Sequence, residues 1–328
     1  MPEQLSSKLN VILKQTSRAF YLSLRVLPSQ PRRALSLAYL LARAADTIAD
    51  SGKQSNEIKA QALRALQKCL SAGEEDITSV LMAFSPEHMG ERELLNNLPT
   101  LLCELTEDPD RTSIIEVVNT LIEGMLWDQK LFSGGSRSQG LSSEELERYT
   151  FLVAGCVGPF WSSVCAGDES SLSHLKTKQN LNTALEFGKA LQWVNILRDI
   201  PEDQKTERFY LPAMSSREFT QSFKRHSHRA LLAFRKAITY PNLYPVSCFR
   251  HRLSVFLPLV LGLRTLTKLF FHGKPRHGRR IKVKRQEVFF WLLVGPFILL
   301  TKPTSTLLLH TLWKRATDAL EKSEFYHD

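Results

Sequence analysis

Apolar residues recur every three to four positions through Leu35–Ile48, Ala60–Leu70, Ile114–Phe132, Glu144–Cys165 and Leu181–Ile200. That is the period of helices buried along one side. Alternating Val/Ile/Thr runs closed by Asn-Gly or Asp-Gly, which mark hairpins, are missing. Breaks fall at Pro28 and Pro31, Ser51-Gly52, Pro86, Pro109, Gly134-Gly135, Pro201, Pro212, and Pro241 with Pro245, and these set the ends of the predicted helices. Ser142-Ser143-Glu144-Glu145 reads as an N-cap with acids in the first turn. No repeat of fixed period is present, and no linker rich enough to separate one domain from another precedes about residue 270. The pattern predicts a single all-α domain.

The tail departs from this pattern. His272–Arg285 packs seven Lys and Arg into fourteen residues with two glycines and a proline, which reads as a basic loop. It leads into Val288–Leu300, VFFWLLVGPFILL, an uninterrupted apolar run of thirteen residues. A membrane span takes roughly 20 such residues, so the run reads better as a buried helix or an interfacial segment, a span being the third reading, reached only by continuing through Leu309 across Lys302, Pro303 and several hydroxyls. The expected organisation is a catalytic domain over residues 1–271 and a membrane-associating tail over residues 272–328.

Composition narrows the class. A chain of 328 residues with 43% hydrophobic and 23% charged residues is neither disordered nor fibrous. Five widely spaced cysteines without a CxxC pair argue against a disulfide scaffold or a zinc ribbon. The opening MPEQLSSKLN lacks the basic-then-apolar pattern of a secretory signal, so a cytosolic location is expected, with peripheral contact at the cytoplasmic membrane face. The formal net charge is +10, yet sixteen Lys and Arg lie between Phe219 and Gln286 with no carboxylate among them. The rest of the chain is slightly acidic. A local basic surface calls for an anionic partner: an anionic membrane surface, a phosphorylated ligand or nucleic acid. Nucleic acid is not expected, because His272–Arg285 carries no Phe, Tyr or Trp for base stacking. The oligomeric state is left open.

The chemistry concentrates in carboxylates. Arg43-Ala-Ala-Asp46-Thr-Ile-Ala-Asp50 puts Asp46 and Asp50 one turn apart on an apolar helix. Gln192-Trp-Val-Asn195-Ile-Leu-Arg198-Asp199-Ile-Pro-Glu202-Asp203 repeats the device with Asp199 and Asp203. Like charges at that spacing on a half-buried helix repel each other and lose hydration, so a cation is expected to compensate them. Mg²⁺ suits all-oxygen sites that keep waters and phosphates, and Asn195 adds a neutral oxygen from the same face. Arg43 and Arg198 then offer bidentate contacts to phosphate, although Arg198 beside Asp199 also reads as a plain ion pair. Glu202 is expected as a solvated neighbour at the helix end. From the residues alone, the site is a metal–diphosphate site in an all-α protein.

Ser17-Arg18-Ala19-Phe20, ARAADTIAD, YTFLVAGCVG from Tyr149 and QWVNILRDIPEDQKTERFYLP, in that order, resemble the squalene/phytoene synthases. These are the head-to-head trans-isoprenyl diphosphate synthases, and the resemblance runs from about Thr16 to Pro212. It implies an isoprenoid-synthase helical bundle around a central cavity. It further implies that Asp46, Asp50, Asp199 and Asp203, with Asn195, hold Mg²⁺ against substrate diphosphate. Arg18, Arg43, Arg198 and Arg208 match diphosphate-binding positions, and Gln192 and Asn195 match polar positions lining the second site. Tyr149 matches a tyrosine of the coupling step and Phe20 an aromatic near the carbocation path, where a ring face stabilises positive charge.

The implied reaction joins two molecules of farnesyl diphosphate. Diphosphate departs, the allylic cation is attacked by the second substrate's double bond, and proton loss leaves a cyclopropylcarbinyl diphosphate. A second ionisation follows, and the quench decides the product. Hydride from NADPH gives squalene; proton loss gives dehydrosqualene or phytoene; water gives hydroxysqualene. Arg43 three before Asp46, Thr47 after it and Glu202-Asp203-Gln204 resemble the squalene-forming branch more than the phytoene-forming one, while Ala49 stands where eukaryotic squalene synthases commonly carry an acid and RFYLP resembles the bacterial and phytoene branch, which together imply a squalene synthase of bacterial type. Squalene synthesis is the expectation. Its alternatives are a synthase without reduction, giving presqualene diphosphate, hydroxysqualene, dehydrosqualene or phytoene, and, in another class, a catalytically silent basic membrane-binding protein.

Overall fold

The computed structural model describes residues 5–17, 20–52, 54–72, 77–133, 138–167, 170–273 and 281–323. Arg18, Ala19, the Gly134-Gly135 pair and residues 274–280 of the basic run lie outside the described residues. Among the described residues all regular structure is helical, as the period predicts. The chain divides into two compact units, residues 1–134 and 135–328.

The first unit holds α1 (Ser7–Ser17), α2 (Phe20–Val26), α3 (Ser29–Ala49), α4 (Asn56–Ala72), α5 (Ile77–Leu81), α6 (Met89–Asn96), α7 (Leu98–Thr106) and α8 (Arg111–Phe132). α3 is its centre, packed against α4, α6, α7 and α8. Leu37, Leu40, Leu41, Ala44, Ala45 and Ile48 supply the period that makes it so, and all are fully buried. Pro28 sits at its N-cap and Pro31 in its first turn, where a missing amide costs nothing. Arg33 of α3 is buried, and its guanidinium bonds Asp108 at 3.0 Å and Glu104 at 3.2 Å, tying α3 to the end of α7.

The second unit holds α9 (Ser143–Thr150), a π turn (Phe151–Gly155), α10 (Val157–Ala166), a 3₁₀ turn (Ser170–Lys176), α11 (Lys178–Lys205) and α12 (Glu218–Ala237). A second 3₁₀ turn (Tyr240–Leu243), α13 (Phe249–Phe271), α14 (Arg285–Ile298) and α15 (Lys302–Glu321) complete it. α11 is the hub: α9, the π turn, α10, α12 and α13 all pack on it. The expected cap at Ser142 is a full capping box: its hydroxyl accepts from the Glu145 amide at 3.1 Å, and its own amide donates to Glu145 at 2.8 Å. Two expectations need correcting. The helical pattern over Glu144–Cys165 is interrupted by the π turn. Pro201, expected as a break, lies inside α11 with its ring buried. Proline removes one amide from the ladder, and α11 runs on because its end is closed by a cap described below.

The C-terminal helices are fastened by a buried cation. Arg252 of α13 is fully buried and donates to the Pro241 carbonyl (3.3 Å), Asn242 Oδ1 (2.7 Å), Ser305 Oγ (3.1 Å) and the Leu299 carbonyl. It thereby joins α13, the 3₁₀ turn, the end of α14 and the start of α15. α14 is neither the wholly buried core helix expected as one reading nor long enough to span. Trp291 and Gly295 are buried, while Phe289, Phe290, Leu293 and Phe297 face outward. Two described segments, Ser143–Ala166 and Phe249–Phe271, have the length and hydropathy of membrane spans, but 61% and 72% of those windows are buried inside the protein.

His226 of α12 is buried against Trp193 with ring centroids 5.4 Å apart, and Nδ1 lies 2.6 Å from the Ser222 carbonyl. Burial pushes its pKa down from 6.5 to about 4, and Arg229 and Arg225 add to the effect. The unfolded chain takes up this proton near pH 6.5 and the native state only near pH 4, so stability is complete above that window and falls as pH drops through it. The expected loss is about 3 kcal/mol. Thermal melts between pH 7 and pH 4 should show it, and His226→Phe should flatten that part of the profile.

Candidate active site

In the first unit, the last two turns of α3 present Asp46 and Asp50, with the Asp50 amide bonded to the Asp46 carbonyl at 2.9 Å. Arg43 lies between two acids, forming ion pairs with Asp46 and with Glu91 of α6. Thr47 is held by its hydroxyl donating to the Arg43 carbonyl at 2.8 Å. These residues line a cleft of about 400 Å³ together with Phe84, Glu87 and His88. Asp46, Asp50, Glu87 and Glu91 thus share the cleft with the Arg43 guanidinium. Burial by itself would lower the Arg43 pKa; Asp46 and Glu91 outweigh it and the net shift is upward, so this charge is permanent. Glu87, His88 and Glu91 were not candidates from sequence, since nothing in their spacing ties them to α3.

In the second unit, Gln192, Asn195, Arg198, Asp199, Glu202 and Asp203 lie on one unbroken helix, α11. Asn195, Asp199, Glu202 and Asp203 fall at i, i+4, i+7 and i+8, hence on one side of it. Asn195 Nδ2 donates to Gln192 Oε1 at 3.2 Å, which leaves the Asn195 carbonyl oxygen directed away from that bond. Arg198 grips Asp199 with two bonds, Nε to Oδ1 at 2.8 Å and Nη2 to Oδ2 at 2.5 Å. Glu202 is half-exposed, but its Oε2 is buried with no hydrogen-bond partner among the described residues. A buried carboxylate oxygen lacking a partner is costly, and a cation beside it would relieve that cost.

The end of α11 is a Schellman cap. Arg208 N donates to the Asp203 carbonyl at 2.9 Å and Glu207 N to that of Gln204 at 3.3 Å. Glu207 takes the left-handed conformation, φ 58°, that glycine usually supplies. The cap turns the chain so that Arg208, half-buried, leads into Phe209 and Tyr210. The Tyr210 carbonyl accepts from Leu141 N at 3.1 Å, and Ala213 N donates to the Ser138 carbonyl at 2.8 Å, which lays this segment beside the entry to α9.

That arrangement places Tyr210 on Tyr149. Their rings stack at 4.7 Å, and the Tyr149 hydroxyl donates to Tyr210 Oη at 2.9 Å, both residues being buried. Tyr149 stands at the end of α9, immediately before the π turn. The π turn and α10 rest backbone against backbone on α11. A Cβ at Gly158 would lie 1.8 Å from the Ala184 carbonyl oxygen, and one at Gly188 would lie 2.3 Å from that of Ala154. Lys189, one residue on, is buried and paired with Glu147 of α9. Tyr210 and Lys189 had no role assigned from sequence, although Tyr210 lies within the FYLP end of the second acidic motif. Phe20, in the first unit, stacks on Tyr39 at 5.2 Å.

The donor set fits Mg²⁺. Among the described residues no group of three or more His, Cys, Asp or Glu could hold a metal alone. Mg²⁺ does not require one: it binds through one or two carboxylates and completes its octahedron with water and substrate phosphate. Asp46 with Asp50, and Asp199 with Asp203, each supply two hard oxygens of that kind.

A family model described as squalene/phytoene synthase matches residues 13–287. The chain is 28% identical over 229 residues to a bifunctional lycopene cyclase/phytoene synthase of Blakeslea trispora, covering 67% of this chain and 35% of the relative. It is 27% identical over 217 residues to squalene synthase of Schizosaccharomyces pombe, covering 65% and 45%. It spans about a third to a half of the length of the curated relatives it matches. The solved structure of TcSQS in complex with the ligand E5700 superposes with a TM-score of 0.70 at 18% identity, covering 96% of this chain and 98% of the other. The fold is therefore the all-helical one of that structure.

The glycine contact yields a direct test. Gly158→Ala should destabilise the protein by about 2–3 kcal/mol, because a backbone carbonyl cannot step aside. Denaturant unfolding measures this, and near-ultraviolet circular dichroism should report changed tyrosine packing in whatever remains folded. Glu207→Gly should instead stabilise the protein by about 1 kcal/mol by releasing left-handed strain.

Proposed function

The chain belongs to the squalene/phytoene synthase family, and on that premise we propose that it is a Mg²⁺-dependent prenyltransferase joining two farnesyl diphosphates head to head through presqualene diphosphate. The observation that carries this reading is the matched build of the two acidic motifs. Each has aspartates one turn apart, with an arginine of the same helix on the first of them: Arg43 on Asp46, and Arg198 on Asp199. Two such devices suit two diphosphate-bearing substrates.

When bound, Mg²⁺ would neutralise diphosphate charge and make it a better leaving group. Asp46 and Asp50 would hold it on α3, and Asp199 and Asp203 on α11 with Asn195 beside them. Arg43 and Arg198 are oriented in advance by their aspartates, so a diphosphate meets guanidinium groups whose freedom is already spent. Arg208 and Gln192 complete the polar side in this reading, together with Arg18. Phe20 and Tyr149 belong to the apolar side. Tyr149, fixed by its stacking and hydrogen bond with Tyr210, presents a phenol in a buried setting suited to handling the proton lost in the coupling step. Apolar surroundings keep water from carbocations.

Squalene, whose formation requires NADPH, is the product favoured by Arg43, Thr47 and Glu202-Asp203-Gln204. No strand occurs among the described residues, hence no strand–glycine loop–helix unit for a dinucleotide, and no described residue is assigned to the nucleotide. The Tyr210 segment keeps the non-reducing products, dehydrosqualene and phytoene, as the second reading.

Incubation with farnesyl diphosphate and Mg²⁺, with and without NADPH, followed by mass analysis of extracts, separates these products. Squalene formed only with NADPH is the expected result. Dehydrosqualene, hydroxysqualene or accumulated presqualene diphosphate would retain the condensation and change the quench, whereas no product from farnesyl or geranylgeranyl diphosphate would sink the enzyme reading. Asp46→Asn and Asp199→Asn should each lower diphosphate release about 100-fold or more while leaving helical circular dichroism unchanged. Undiminished turnover in either would remove that residue from the metal site.

A further inference from the structure

Among the described residues of the second unit, nothing covers the outward face of α14. Phe289, Phe290, Leu293 and Phe297 are 66%, 52%, 70% and 69% exposed, and Leu300, just past the helix end, is 62% exposed. Trp291, Gly295 and Leu299 form the opposite, buried side. The helix is thus apolar all round but packed on one face only, and a Phe/Leu stripe of this size is not left to water without a use.

Its depth is fixed from beneath. The Arg252 bonds to the Leu299 carbonyl and to Ser305 pin the turn between α14 and α15. At the other end Glu287 is clasped by Arg264 and by Lys268, the latter at 2.7 Å. Those two cations hold the Glu287 carboxyl below its usual range against the opposing effect of burial. Glu287 is also the only carboxylate side chain in the sequence between Glu218 and Asp318. The one negative charge of the region is therefore turned inward and neutralised. Lys282, Lys284 and Arg285 at the start of α14, and Lys302 after its end, are exposed.

We propose that this face of α14 is a membrane-docking surface: the helix lies in the plane of an anionic bilayer, its Phe/Leu stripe among the acyl chains and its flanking cations on the headgroups. The charge pattern selects the occupant. A face with cations at both ends and no exposed acid complements anionic lipid, whereas a second copy of the same face would meet its own positive charge. Length selects the orientation. The 14 residues of α14 extend about 21 Å, short of the roughly 30 Å hydrocarbon core, and the buried side must stay on α13. This docking goes beyond the catalytic reading and is measured without substrate, so its failure leaves that reading intact.

The test is flotation of the full chain with phosphatidylcholine vesicles, with and without phosphatidylglycerol. Wild type should float with the anionic vesicles and lose most of that binding in high salt. Leu293→Ser combined with Phe297→Ser should lower binding about tenfold or more, with an unchanged melting temperature because neither side chain is buried. Lys282→Gln with Lys284→Gln should weaken binding and flatten its salt dependence. Leu293→Trp should show vesicle-dependent fluorescence quenched by lipids brominated near the headgroup more than near the chain ends. Wild type that does not float, or a serine variant that floats like wild type, would overturn the proposal. So would light scattering that shows a wild-type dimer dissociated by the serine pair with flotation unchanged. Deep quenching equal to shallow quenching would overturn the in-plane orientation.

Discussion

The second unit is organised by a contact in which two backbones touch with no side chain between them. Gly158 lies against the Ala184 carbonyl and Gly188 against that of Ala154. Close approach of this kind gives many dispersion contacts along a short length, and it leaves no rotamer through which the elements could slide. It sets the distance of the π turn from α11 and hence the height at which Tyr149 emerges from α9. The π turn belongs to the same solution. One extra residue in the turn shifts the faces of α9 relative to α10, so Tyr149 and the glycines can both meet their partners. The cap at Glu207 then brings Tyr210 down onto Tyr149 from the far end of α11. Residues more than 60 positions apart meet because one helix carries both constraints.

Electrostatics adds a second kind of order. Neither acidic motif is left as bare repelling carboxylates: Arg43 holds Asp46 and Glu91, and Arg198 holds Asp199. Such pairs contribute little to stability where they are partly exposed, since solvent screens them. Their value is geometric. The guanidinium groups and carboxylates are held before a ligand arrives. On α11, Glu202 Oε2 is a buried carboxylate oxygen with no hydrogen-bond partner among the described residues.

Much of this was legible in the chain. The 3.6-residue period located α3, α4, α8 and α11, and the spacing of the aspartates put each pair on one face. Ser142 announced its cap. The failures share a cause. Pro201 reads as a stop because proline deletes one hydrogen bond, but a single deletion is outweighed when the ring is buried and the next turn is capped. The π turn is silent because it inserts one residue into a stretch apolar on most sides, where a shift of phase changes no visible pattern. Glu91 becomes a partner of Arg43, and Tyr210 of Tyr149, only through tertiary packing. Glu202 reads as solvated from its position near a helix end; it is half-exposed, and the packing around that end of α11 buries one of its oxygens. Local chemistry is written in spacing, whereas the identity of a partner on another element is not.

The C-terminal helices show how one buried charge can govern a surface. Among the described residues, Arg252 has no carboxylate as a hydrogen-bond partner; its guanidinium bonds carbonyls, an amide oxygen and a hydroxyl. Desolvation lowers its pKa, so the charge is held at a cost that these acceptors must offset. An apolar residue there would fill the space but leave the carbonyls of Pro241 and Leu299 without this donor. With the arginine, three elements converge on one planar group, and the end of α14 has a single allowed position. The orientation of α14 then follows: Gly295 must face Leu253 and Phe256, where a Cβ would already lie 3.2 Å from Leu253 Cδ1, and the phenylalanines have only the outside left. Their exposure is a consequence of how the interior is satisfied, which is why a run that reads equally as core or as interface in the sequence forms a surface in the fold.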